Sequence, residues 1–90
     1  GDEFVILLPG TTPESALIVA SRLQKAFRRI QLPDRSFLAA SIGCTTASPE
    51  ETEAGFYKRM DDALYLAKEG GRNCIILLDA EHQVKEVTRE

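Results

Sequence analysis

Two cysteines and one histidine stand in 90 residues. Cys44 and Cys74 lie far apart in apolar runs, so they read as buried thiols of a reducing compartment rather than a disulfide or metal pair. The lone His82 lies in a polar stretch and reads as solvated. The longest apolar run, Phe4 to Leu8, is about five residues, far short of the roughly 20 that cross a bilayer. The start, Gly1-Asp2-Glu3, is neither basic nor followed by a long apolar stretch, so no signal peptide is expected. It is not Met either, so the chain reads as a piece of a longer protein. No internal repeat or low-complexity segment is present. Eleven basic and 14 acidic residues give a charge of −3, which argues against a nucleic-acid partner. With 43% hydrophobic and 28% charged residues the composition is that of a folded chain, and the length admits one small domain.

What is there reads as strand, helix, strand, helix, strand. Glu3 to Leu8 is apolar and β-branched and closes at Pro9-Gly10, the pattern of a buried strand. Thr12-Pro13-Glu14 is a helix start: cap, N1 proline, acid at the positive dipole end. Ala16, Ala20, Leu23, Phe27 and Ile30 then form one face of a helix to about residue 30. Ser36 to Thr46 reads as a second strand, in which Gly43 marks a bulge or a close backbone approach. Ser48-Pro49-Glu50-Glu51 carries the signs of another helix start. Phe56, Met60, Ala63, Leu64 and Ala67 make that helix's stripe to Lys68, before Gly70-Gly71. Asn73 to Leu78 is the third strand. Residues 79–90 are polar, and read as a tail or linker, with Val84 and Val87 also permitting a short helix. The order predicts an α+β (α/β) sandwich with helices covering a sheet.

Two clusters carry chemistry. Asp2 and Glu3 are adjacent carboxylates ahead of a strand, suited to a hard divalent cation shared with substrate phosphates, and Gly1 leaves room for a nucleotide. The plain alternative is a solvated turn. Lys68 and Arg72 could clamp phosphates. The plain alternative is a basic helix end with glycine caps.

Taken together, the motifs resemble the second half of the GGDEF domain, the diguanylate cyclase family. Gly1-Asp2-Glu3-Phe4 stands where the signature ends, without its first glycine. Ser41-Ile42-Gly43 matches the strand signature. Asp61, Ala63-Leu64-Tyr65, Ala67-Lys68 and Gly71-Arg72-Asn73 match the final-helix pattern A-D-x-A-L-Y-x-A-K-x-x-G-R-N, with Met60 in place of the leading alanine. The resemblance covers residues 1–78 and leaves 79–90 as tail or linker.

The resemblance implies a ferredoxin-like, nucleotide-cyclase-like fold and a reaction. Two GTP condense into cyclic di-GMP with release of pyrophosphate, for bacterial second-messenger signalling, with Mg²⁺ or Mn²⁺ as cofactor and two domains facing each other in a homodimer. Asp2 and Glu3 would be the catalytic and metal-binding carboxylates, and Gly1, Lys68 and Arg72 the substrate-binding residues. Arg22 falls near a secondary inhibitory arginine of some members, for which cyclic di-GMP is the inhibitor; by itself it reads as a solvated helix residue. A cytoplasmic location follows, with no membrane contact from this segment and room for an upstream membrane or sensor domain. The first metal aspartate, the guanine-recognition residues and the primary inhibitory motif lie upstream in the family and are not in this sequence. So does the family's first strand, which lies between the strand after the signature and the Ser41-Ile42-Gly43 strand. The 90-residue chain alone is therefore expected to be inactive, and either to close up as a βαβ unit or to take a strand from a partner. Two competing readings are a degenerate, non-enzymatic module that binds GTP or cyclic di-GMP and regulates a neighbouring domain, and a plain ferredoxin-like domain with accidental motifs.

Overall fold

The computed structural model describes residues 3–70 and 73–89. Helix α1 spans Pro13–Phe27, strand β1 Ile42–Thr45, helix α2 Glu53–Glu69, strand β2 Cys74–Leu78 and strand β3 Val84–Arg89. The strands form one mixed sheet in the order β1-β2-β3. β1 runs parallel to β2 with Ile42 opposite Ile75 and Thr45 opposite Leu78. β3 runs antiparallel to β2, with an irregularity between Leu77 and Leu78. The architecture is α+β, as the residue pattern predicts.

α1 starts where the sequence says. Thr12 caps it, its hydroxyl accepting from the Ser15 amide at 3.1 Å, and Pro13 fills the first turn. It ends at Phe27, and Ile30 lies beyond it, half exposed. Its deepest residues are Ala20 and Gln24. The buried Gln24 amide donates to the Ala40 carbonyl at 3.3 Å, so a polar side chain on the buried face is satisfied.

α2 begins later than Ser48-Pro49 suggests. Thr52 is the cap, accepting from Gly55 N at 3.0 Å. Glu51 does reach back to the Ser48 amide at 2.6 Å, as in a capping box. Its carboxylate is also taken by Arg59, and the helix starts beyond it. The core is formed by Ala63 and Ala67 of α2 against Cys74, Ile76 and Leu78 of β2. All of β2 is buried. α2 lies so close to β1 that a Cβ on Gly43 would overlap the backbone of Ala63 and Leu64, 2.7 Å from Leu64 Cα. Of the two readings of Gly43, close approach is correct.

Three segments differ from expectation. Residues 3–8 join no strand of the sheet, and Phe4 is 87% exposed. The apolar run has strand propensity, but a strand also needs a neighbour for its backbone groups, and β1 does not pair with it. The βαβ closure is therefore not formed. The second strand is confined to residues 42–45. Residues 36–41 make only an isolated bridge, Gln31 to Phe37. Third, residues 84–89, within the stretch read as tail, linker or short helix, form β3. The hairpin is closed by Asp79, whose carboxylate accepts the Glu81 and Gln83 amides, both at 2.9 Å. His82 takes the left-handed conformation, φ 65°.

Candidate functional site

The last turn of α2 brings Lys68 to Glu3. The Lys68 Nζ donates to Glu3 Oε2 at 2.9 Å, across 65 positions of sequence. Both side chains stay substantially exposed. The lysine's hydrogen bond and charge hold the Glu3 carboxyl below its ordinary value, so it is ionised at neutral pH. Lys68 sits at the negative end of the helix dipole, where a cation is favoured. Gly70 caps the helix, its amide donating to Leu66 O at 2.9 Å. Asn73 follows in the left-handed conformation, φ 47°, with its side-chain oxygen buried and unpartnered.

Two of the sequence-predicted site residues are thus brought together. Gly1, Asp2 and Arg72 lie outside the described residues. Arg22 is exposed on α1 and belongs to neither end of the Glu3–Lys68 pair.

The Glu3 oxygens are hard donors of the kind Mg²⁺ or Mn²⁺ takes, and their exposure leaves space for phosphate and water ligands. Among the described residues no group of three or more His, Cys, Asp or Glu could hold a metal by itself. Glu3 alone supplies one hard carboxylate, and such an ion would need further oxygen ligands to be held there.

A second polar cluster fixes α2 and was missed in the sequence. Arg59 is 2% exposed. Its Nη1 and Nη2 donate to the two Glu51 oxygens at 2.5 and 2.7 Å. Nη2 also reaches Thr46 O at 2.5 Å, and Nε the Thr45 hydroxyl at 2.8 Å. The same hydroxyl donates to Leu78 O at 2.9 Å. Arg59 also lies 5.9 Å from the centre of the Phe56 ring. Hydrogen bonds from Arg59 and the Ser48 amide lower the Glu51 carboxyl to about 2. The cluster ties the start of α2 to the end of β1 and β2. Arg59's place is visible in hindsight: it stands at 59 in the stripe 56, 60, 63, with core spacing. Cys44 and Cys74 are both free. Burial raises the Cys44 thiol to about 11, so it is neutral and a poor nucleophile.

The chain matches a family model described as diguanylate cyclase, GGDEF domain, over residues 1–74. The chain belongs to the GGDEF family. This GGDEF chain is 36% identical over 76 residues to "Diguanylate cyclase DgcM" of Escherichia coli (strain K12), covering 84% of the chain and 18% of that protein. It is 34% identical over 76 residues to "Probable diguanylate cyclase DgcC" of the same strain, covering 81% and 20%. It is 32% identical over 87 residues to "Response regulator PleD" of Caulobacter vibrioides (strain NA1000 / CB15N), covering 84% and 18%. The chain thus spans about a fifth of the length of these relatives. No solved structure matches it significantly. Among the described residues no helix is long and apolar enough to cross a membrane.

Proposed function

We propose that this GGDEF chain is the C-terminal part of a diguanylate cyclase that condenses two GTP into cyclic di-GMP. The observation that carries the reading is the meeting of Glu3 and Lys68, an acid of the signature and a cation of the final-helix motif, at 2.9 Å. A carboxylate beside an ammonium, both exposed, is what a metal-bound triphosphate needs.

In this reading Asp2 and Glu3 hold Mg²⁺ or Mn²⁺. The ion supplies Lewis acidity at the phosphate oxygens. Lys68 leaves Glu3 and, with Arg72, neutralises the terminal phosphates, while Gly1 leaves room for the nucleotide. Each ribose 3′-oxygen loses its proton and attacks the α-phosphorus of the other GTP. A P–O bond forms and the bond to pyrophosphate breaks, once per nucleotide. The reaction needs two facing domains, hence a homodimer. A cytoplasmic site, where GTP is made, belongs to the same proposal, as does inhibition by the product through Arg22.

The test is GTP turnover by the full-length protein and its Asp2→Ala variant. Cyclic di-GMP formation by the parent, lost in the variant, is expected. A variant within about threefold of the parent would remove Asp2 from the mechanism. A parent that binds GTP or cyclic di-GMP without turnover would be the regulatory module instead.

A further inference from the structure

Charge is divided between the two ends of the sheet. β1 and β2 run parallel with Ile42 opposite Ile75, so both begin at one end. The Gln24 amide reaches Ala40 just ahead of β1, and the Cys74 thiol reaches the Ala67 carbonyl just ahead of Lys68. The last turns of α1 and α2 therefore meet the sheet at the same end, which the Glu3–Lys68 pair marks. Arg28 and Arg29 follow α1 there, both exposed. Arg35 joins them on a hairpin turn fixed by main-chain bonds, Leu38 N to Ile30 O at 2.9 Å, Leu32 N to Ser36 O at 2.7 Å and Arg35 N to Leu32 O at 2.9 Å. It is exposed and left-handed, φ 72°. The helix dipole accounts for Lys25 in the last turn of α1, but Arg29 and Arg35 lie past the helix. The other end is acidic. Glu14, Thr46, Asp79 and Lys85 border one groove there, Glu53 opens α2, and Glu50 and Glu81 stand in the adjoining turns. The 17 residues of α2 span the two ends over about 25 Å, well beyond the roughly 10 Å over which 0.1 M salt screens a charge. Each end thus shows its own sign to an approaching ion.

We propose, on the reading above that the Glu3–Lys68 end binds GTP, that Arg29 and Arg35, with Arg28 beside them, guide the triphosphate to that end. They speed its arrival and do not hold it. A triphosphate carries several negative charges, so a cluster of cations raises its local concentration and its association rate from a distance. The acidic end repels the same anion. Guidance of this kind needs no contact with the bound nucleotide, and salt abolishes it.

The experiment follows a fluorescent GTP analogue binding to the full-length protein with Mg²⁺ by stopped flow. Arg29→Gln with Arg35→Asn removes two charges, and asparagine tolerates the left-handed turn. At low salt, association should slow about threefold to tenfold while dissociation stays within about twofold, and the difference should vanish near about 0.5 M salt. Arg29→Gln alone leaves the hairpin untouched and should show part of the effect. Lys58→Gln with Lys85→Gln makes the same change in net charge away from that end, and should leave association within about 1.5-fold. Equal slowing by the two double variants would reduce the effect to net charge. Faster dissociation would make the arginines direct ligands, and a deficit that persists at high salt would make them structural. Each of these overturns the proposal, as does unchanged association. Failure of the cyclase reading shows separately: the expected rates without cyclic di-GMP formation remove turnover and leave the guidance, whereas turnover with equal association rates does the reverse. A protein that binds no nucleotide would overturn both.

Discussion

Two of the ion pairs on α2, Arg59–Glu51 and Lys68–Glu3, differ in almost everything but charge. Arg59 and Lys68 are nine positions apart, and at about 100° per residue they point to opposite sides of the helix. Arg59 is buried, and its guanidinium meets Glu51, Thr45 and Thr46 at once. Lys68 makes one hydrogen bond, to Glu3, in the open. A buried charge held at several points cannot change partners without a large penalty. An exposed pair contributes little and exchanges partners readily. The difference separates the pair that holds the fold from the pair free to exchange partners.

The largest expected effect breaks the side where α2 meets β1. Gly43→Ala places a methyl group into the backbone of Ala63 and Leu64. Backbone cannot rotate away, so α2 must shift and loosen the Arg59 contacts. We expect a loss of roughly 3–5 kcal/mol, at the upper end of overpacking costs, measured by urea unfolding. A loss below about 1 kcal/mol would mean that α2 slides freely on the sheet and that Arg59 does not fix it.

Next is the buried pair. Arg59→Met keeps the volume and removes every donor. Glu51 retains some exposure and can recover water. The cost should therefore fall below the roughly 3–5 kcal/mol of a fully buried pair, at about 2–3 kcal/mol. Thr45 and Thr46 lose partners too, so Glu51→Gln, which keeps an acceptor, should cost less than Arg59→Met.

The same pair sets a pH dependence. Folding lowers the Glu51 carboxyl from its ordinary 4.5 to about 2, so the folded state binds this proton more weakly. The stability it contributes is present above pH 4.5 and is lost as pH falls toward 2. Glu51→Gln should flatten the acid limb of the urea midpoint against pH. An unchanged limb would move the acid sensitivity to Asp79 or Asp34, which hydrogen bonds also hold below their ordinary values.

How far the sequence spoke follows the same division. Elements whose signals are local were legible: Thr12-Pro13 starts α1, the stripe of α2 ends at glycine, and the unbroken apolar run Cys74–Leu78 is a strand. Motif spacing named Glu3 and Lys68, and the structure brings them together. What failed needed a neighbour. Phe4 to Leu8 has a strand's composition and no strand beside it. Val84 to Arg89 has few apolar residues and becomes a strand because β2 and the Asp79 turn offer it a ladder. Arg59 was not singled out, because a charged residue type does not announce burial even where it stands at core spacing beside Phe56, Met60 and Ala63.

The smallest effect on stability should come from the exposed side, and it tests the division most directly. Lys68→Met removes one hydrogen bond between groups that water already reaches. The urea midpoint of the chain should stay within about 0.5 kcal/mol of wild type. In the full-length protein the same change should cost about 1–3 kcal/mol in kcat/KM for GTP, the scale of a charged hydrogen bond to phosphate. The two numbers must separate for the comparison to stand. If Lys68→Met destabilised the chain as much as Arg59→Met, both pairs would be structural. Unchanged stability with unchanged GTP use would return Lys68 to the role of a basic helix end.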